Sequence, residues 1–367
     1  MWHPCFTVFE YQVQYPGLQQ KLRVDITTMT FLSHAITWIF PEYQFEWIVP
    51  EFEKTLSKEL DFIQEAENAE RTRRNFKKNN AVKVPHIFWD FTRTQVLTME
   101  FMHGCKIDNL ECLLGAGLNP RKVAQALVEV FAEMIFVHGY VHGDPHPGNI
   151  LVFPHSSKKD GFDIVLLDHG IYRELDESFR MDFCRLWKAL ILLDPHEMKQ
   201  MGERIGAGKY YRYLPVIFTG RTIDSKSGLG ESMPTEDRKR LSQEARNFTM
   251  GDISEFMEGL PRDMLTVLRT DGLLRSIISK LGAPQRIRLL ANAKYAVAGL
   301  VPKSKSESGL SLMSRAKATL DFVYLSICLE MLQLHYKMGS VFESLLKKFK
   351  YWLSKSGGVI PIPNMIL

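Results

Sequence analysis

Residues 142 to 170 constrain this chain most. They read His142-Gly143-Asp144-Pro145-His146-Pro147-Gly148-Asn149, an apolar strand, a polar tip, a second apolar strand, then Asp168-His169-Gly170. Pro145, Pro147 and Gly148 oppose helix and favour a tight loop. Ile150 to Phe153 and Ile164 to Leu167 are apolar, and Ser156 to Gly161 between them is polar, which predicts a hairpin. Such a hairpin returns at Asp168, close to Asn149. Asn149 and Asp168 make an oxygen donor set for Mg²⁺, which takes one or two carboxylates with phosphate and water oxygens. Phosphoryl transfer needs little else beyond a carboxylate held near the acceptor, the role predicted for Asp144. A lone Asp or Asn is commonly a turn cap; three at these spacings, framed by helix and strands, carry the functional reading. His142 and His146 have a spacing that suits zinc on a helix, but the prolines forbid that helix and no cysteine cluster accompanies them. They are read as loop braces.

The flanking pattern predicts an α+β, two-lobe fold with a small mixed lobe and a large, mainly helical one. Phe6 to Tyr15 reads as a strand closed by Pro16-Gly17. Pro50 to about Phe76 reads as one helix through Phe52, Leu56, Leu60 and Ile63. Val82 to Trp89 and Gln95 to Phe101 read as two strands, with the connection between lobes near Glu100 to Gly104. Arg121 to His138 is an amphipathic helix carrying Val123, Leu127, Val130, Phe131 and Met134 on one face. Beyond Asp176 the pattern is helical except for a Gly-, Ser- and Asp-rich loop from Thr219 to Pro234. The expected divisions are 1–104, 105–301 and a helical extension, 302–367.

Composition excludes some classes. A net charge of +4 over 367 residues lacks the dense basic face of a nucleic-acid binder. The five cysteines are scattered without a Cys-x-x-Cys pair, which predicts reduced thiols. No apolar run reaches the roughly 20 residues a membrane span needs; Leu320 to Leu334 is interrupted by Asp321 and Glu330. The first residues show neither a signal peptide nor an organelle transit pattern. The basic run Arg71 to Lys78 reads as a solvated helix end.

Together these residues resemble the UbiB/ADCK (aarF domain-containing) family of atypical protein-kinase-like proteins, over about Val13 to Val301. Val13-Gln14-Tyr15-Pro16-Gly17 is similar to the end of the family's lysine strand. Lys58 to Ala66 resembles its αC region, which implies Glu65 at the ion-pairing position and Glu59 and Asp61 in an acidic motif. Leu97 to Gly104 resembles the hinge, which implies Glu100 and Met102 as cofactor contacts. His142 to Asn149 and Asp168-His169-Gly170 resemble the catalytic loop and metal-binding triplet. The resemblance implies ATP and Mg²⁺ as cofactors. It also implies a role in ubiquinone or other isoprenoid-lipid metabolism, in mitochondrion or plastid, at a lipid or peripheral membrane surface.

Two departures bear on activity. The lysine position holds Gln12, whose neutral amide cannot replace an ammonium that pairs with Glu65 and the phosphates. The family's Lys-x-Gly-Gln helices and alanine-rich nucleotide loop precede that strand, and the expectation is a chain shortened at its N-terminus. Reduced turnover is expected, with a pseudokinase scaffold for lipid or protein as the second reading. A phosphotransferase of the aminoglycoside/choline kinase type, which carries a similar loop, is the third. Phe342, Leu345, Leu346, Phe349, Trp352 and Leu353 share one face of an expected helix with lysines offset from it. That pattern fits either packing on the large lobe or a membrane interface.

Overall fold

The structure is a computed structural model that describes residues 9–40, 48–155, 161–192, 194–220, 235–246 and 249–300, with isolated positions between Leu320 and Met338. Two units are distinguished, Met1–Leu300 and Val301–Leu367. The expected amphipathic tail at 342–353 and most of the 219–234 loop lie outside the described residues.

In the first unit, β1 (Phe9–Val13) pairs antiparallel with β3 (Val96–Glu100), Gln12 opposite Leu97. Gly17, at φ 77°, then starts α1 (Leu18–Ile39), a helix that the sequence reading did not anticipate. Its β-branched run disfavours helix, and Ile26 is the one buried residue along it. Hydroxyls at Thr27, Thr28, Thr30, Ser33 and Thr37 donate back to carbonyls of the preceding turn. The single helix expected over 50–76 is two, α2 (Ile48–Glu59) and α3 (Phe62–Asn75). The break has three visible causes. Asp61 accepts the Ile63 N–H at 3.0 Å as an N-cap, Gln14 Nε2 donates to Leu60 O at 2.7 Å, and Phe62 N–H donates to Thr94 O at 3.1 Å.

The stretch expected as one strand over 82–89 also divides. β2 (Val82–Lys83) pairs parallel with β7 (Phe162–Leu166), whereas Ile87 bridges Met99 of β3. β4 (Cys105–Lys106) joins β6 (Ile150–Pro154), giving a four-stranded sheet in the order β2-β7-β6-β4. The hinge turns on Gly104, where an added Cβ would sit 3.0 Å from Val152 O and 3.1 Å from Leu151 Cβ. α4 (Leu110–Gly115), capped by Asn109, swings Cys112 back onto Cys105, and the two form a disulfide with Cα atoms 5.8 Å apart. The expectation of reduced thiols fails for this pair because the turn between them closes a distance that sequence spacing does not reveal. Cys184 is buried.

α5 (Pro120–Ala132), with Asn119 as its N-cap, buries Val123, Leu127, Val128 and Phe131. The helix expected through His138 widens into a π-helical turn over Glu133–His138, ended by Gly139 at φ 65°. β5 (Tyr140–His142) pairs with β8 (Tyr172–Glu174). Then come α6 (Glu177–Leu192), α7 (Pro195–Arg204), α8 (Leu214–Thr219), α9 (Thr235–Arg246), α10 (Met250–Gly259), α11 (Arg262–Lys280) and α12 (Arg286–Gly299). The main core joins α5, α11, α12 and the sheet through Leu127, Phe131, Ile150, Ile164, Leu274 and Ala291. Each fully buried side chain of Leu or Phe size contributes about 1.5–3 kcal/mol. Buried Arg180 donates to Phe136 O and Gly299 O, fastening the π turn to the end of α12.

Gly104→Val should lower the unfolding free energy by roughly 1–3 kcal/mol in urea titration, because backbone at Val152 cannot retreat. Gly115→Ala, where an added Cβ meets nothing within 4 Å, should leave stability within about 0.5 kcal/mol.

Candidate active site

The β6–β7 register places Ile150 opposite Leu166, so the residues just outside the pair, Asn149 and Leu167, are neighbours. Leu167 N–H donates to Asn149 O at 2.9 Å, and Asp168 is next along the chain. The loop before the hairpin closes on itself. His146 N–H donates to Asp144 O at 2.7 Å, Asn149 N–H donates to His146 O at 2.9 Å, and His146 Nδ1 accepts Gly148 N–H at 3.1 Å. Gly143 N–H donates to Ile171 O at 2.9 Å, and a Cβ there would lie 2.9 Å from Ile171 Cγ2. Asp144, Asn149 and Asp168 are thereby gathered by one loop and one hairpin.

A buried polar chain sets the second carboxylate. Glu65, 5% exposed on α3, accepts the N–H of His169 at 3.2 Å. One turn on, Asn68 donates to His169 O at 2.8 Å and accepts from Tyr140 Oη at 2.6 Å. Both backbone groups of His169 are thus held by α3, while Asp168 Oδ1 accepts Gly170 N–H at 2.8 Å. The His169 ring is hydrogen-bonded at Nδ1 to Tyr172 Oη at 3.0 Å and at Nε2 to Leu166 O at 3.1 Å. Burial pushes its pKa down to about 3, with neighbouring His142 adding to the shift. His142 is also held neutral by burial, against the opposing pull of Asp168 and Asp144. Its Nδ1 lies 3.3 Å from Asp144 N and 3.4 Å from Ile171 O, so the tautomer decides which bond forms. Its ring stacks on Tyr172 at 5.1 Å. Tyr140 is pushed up to about 12 by burial, opposed by Arg71, whose guanidinium lies 4.0 Å above the ring.

The donor set fits Mg²⁺: an amide oxygen and a carboxylate, both hard ligands, the carboxylate held by the Gly170 N–H. When bound there, such an ion would screen phosphate charge. Among the described residues no group of three or more His, Cys, Asp or Glu forms a metal cluster, so the remaining ligands would be phosphate and water oxygens.

Glu100 ends β3, its N–H donating to His86 O at 2.8 Å and its carboxylate accepting His86 N–H at 3.2 Å. Met102 follows in the irregular hinge, half-buried. Asp61 serves as the cap of α3, and Glu59 is the last residue of α2, its side chain outside the described residues. Gln12 lies on the less exposed side of β1 with Glu10. Asn68, Tyr140 and Arg269 escaped the sequence reading. Asn68 sits three residues after Glu65, a helical neighbour spacing that marks the same face. Arg269, whose Nη2 lies 3.4 Å from Asp144 Oδ1, comes from a helix more than a hundred residues away and leaves no local signal.

The neutral histidines give a pH dependence. The unfolded chain binds protons near pH 6.5 that buried His169 refuses until about 3, so stability falls as pH drops through that window. Thermal melts in metal-free buffer should show this decline, and His169→Gln, which cannot titrate, should make it shallower.

The ABC1 atypical kinase-like domain is matched over residues 11–202. Among similar proteins, the probable serine/threonine-protein kinase abkD of Dictyostelium discoideum is 37% identical, covering 91% of this chain and 48% of its own length. AarF domain-containing protein kinase 1 of Xenopus laevis is 33% identical over 93% of this chain and 66% of its own. The chain spans about half the length of the first two curated relatives it matches. In three dimensions it resembles Rv3197 of Mycobacterium tuberculosis, solved as a complex with erythromycin. The TM-score is 0.52 at 18% identity, covering 77% of this chain and 70% of that one, which supports the two-lobe kinase-like fold. With the expected motifs inside the matched span, the chain belongs to the ABC1 atypical kinase-like family.

Proposed function

We propose that this chain binds a Mg²⁺–adenine nucleotide and acts as an atypical kinase or ATPase module, with turnover reduced by Gln12. The observation that carries the reading is the hairpin register that sets Asn149 beside Leu167–Asp168, with Asp144 on the same loop. The hinge supports it: among the described residues, neither backbone group of Met102 has a hydrogen-bond partner, an edge suited to a nucleotide base. Asp144 would orient and deprotonate the acceptor, while Asn149 and Asp168 hold the ion that screens the phosphates. Thermal shift with ATP and ADP tests this. Stabilisation should require Mg²⁺ and vanish in Asp168→Asn, whereas no shift in either protein would favour a pseudokinase scaffold, the reading that Gln12 supports.

The physiological role in this proposal is isoprenoid-lipid metabolism, including ubiquinone, at an organelle membrane of mitochondrion or plastid. Its structural support is α1, where Val24, Phe31 and Trp38 are 64%, 71% and 84% exposed. Among the described residues no helix is long and apolar enough to cross a membrane, so this face would lie on the surface. Flotation with anionic liposomes should recover the chain, and the double variant Phe31→Glu, Trp38→Glu should remain at the bottom of the gradient. Equal flotation of both would remove α1 from the membrane reading.

A further inference from the structure

We infer that Arg269 is the cation that faces the phosphoryl group in transit, a role that rests on the nucleotide reading above. From His142 to Asn149 the catalytic loop holds no Lys or Arg, and the strand position expected to carry a lysine holds Gln12. The charge that develops on a transferred phosphoryl therefore has no cationic partner within that loop. α11 supplies one, and it packs against β5 and β8, the strand pair from which the loop departs. Asp263 accepts from Arg173 Nε at 2.7 Å and from Asp176 N–H at 2.8 Å. Thr266 Cγ2 lies 3.7 Å from where a Gly143 Cβ would be. Thr270 Oγ1 donates to His142 O at 3.4 Å. Residues 263, 266 and 270 form one helical stripe, and Arg269 stands at its edge, toward Asp144.

The pair is loose. Arg269 Nη2 and Asp144 Oδ1 are 3.4 Å apart, and their side chains are 51% and 33% exposed. That separation exceeds a charge-assisted hydrogen bond, which runs about 2.7–2.9 Å, so the guanidinium can turn to an arriving oxyanion without breaking a strong bond. Its planar fork suits two phosphoryl oxygens at once. In the step itself, the acceptor O–H proton passes to Asp144 and the acceptor oxygen bonds to the γ-phosphorus. The bond from that phosphorus to the bridging oxygen breaks, its electron pair leaving on ADP. Arg269 donates N–H groups to the non-bridging oxygens as this occurs. A guanidinium placed this way stabilises the transition state and contributes little to ground-state nucleotide binding.

The test compares the chain with Arg269→Gln and Arg269→Lys, using Mg²⁺·ADP alone and Mg²⁺·ADP with aluminium fluoride, which mimics the phosphoryl in flight. Mg²⁺·ADP affinity should be unchanged in all three. Affinity for the fluoride complex should fall roughly 10²-fold in Arg269→Gln, with partial recovery in Arg269→Lys. Equal affinity of the unaltered chain and Arg269→Gln for the fluoride complex overturns the role of Arg269 alone. Tighter binding by Arg269→Gln also overturns it, since the pair would then be inhibitory. Failure of the unaltered chain to bind Mg²⁺·ADP overturns the nucleotide reading and this role with it.

Discussion

The register of the β6–β7 hairpin is the constraint on which the rest depends. Strand side chains alternate with period two, so a slip by one residue would turn every inward group outward. The register is held because Ile150, Val152, Ile164 and Leu166 are all fully buried in the main core. Apolar packing thus fixes the positions of two polar residues that do no packing themselves. With Ile150 opposite Leu166, the hairpin has to deliver Asn149 and Asp168 to the same edge. α3 then acts on the far side of that edge, holding the N–H and C=O of His169 through Glu65 and Asn68. Asp168, flanked by the anchored His169 and by the Leu167 N–H bond to Asn149 O, has little backbone freedom, the preparation that a geometrically demanding ion such as Mg²⁺ would need.

Electrostatics follow from burial. His142 and His169 stand within the same stack of rings as Tyr172, and both are kept neutral by loss of water. Two protonated imidazoles here would compete with a bound cation for Asp144 and Asp168. Neutral rings would leave the carboxylates' charge for such an ion and for the half-exposed Arg269.

Much of this was legible in the sequence, and the failures have identifiable causes. The loop was readable because prolines and glycine at 145, 147 and 148 admit few backbone solutions, and the hairpin because its two apolar runs flank a polar tip. α1 was not, since Ile26, Thr27, Thr28 and Thr30 argue against helix by propensity and Ile26 alone is buried to mark a face. The break at Leu60–Asp61 was hidden because Leu60 and Ile63 keep helical spacing across it, and two of its three causes are tertiary, the reach of Gln14 from just beyond β1 and the bond of Phe62 N–H to Thr94 O. The Cys105–Cys112 bond and the approach of Arg269 to Asp144 depend on chain reversal and on long-range packing. Neither leaves a periodic trace.

Gln12 is where sequence and structure bear on each other most. A glutamate on αC that lacked its lysine would be a buried charge without compensation, which is costly. Glu65 is not in that state: its carboxylate accepts the backbone N–H of His169, and this is not its sole interaction. That bond does not need an ammonium on β1. Asp168-His169-Gly170 is therefore braced by α3 whether or not a cation reaches in from the strand, and on the proposed nucleotide reading a neutral residue at position 12 would weaken the grip on phosphates without disordering Asp168. A neutral residue on the strand and an ordered Asn149–Asp168 edge are compatible in this fold. A chain with Gln12 can consequently keep a well-formed Asn149–Asp168 edge, and on the proposed nucleotide reading the charge on the phosphates would fall to the ion and to groups arriving from the helical lobe.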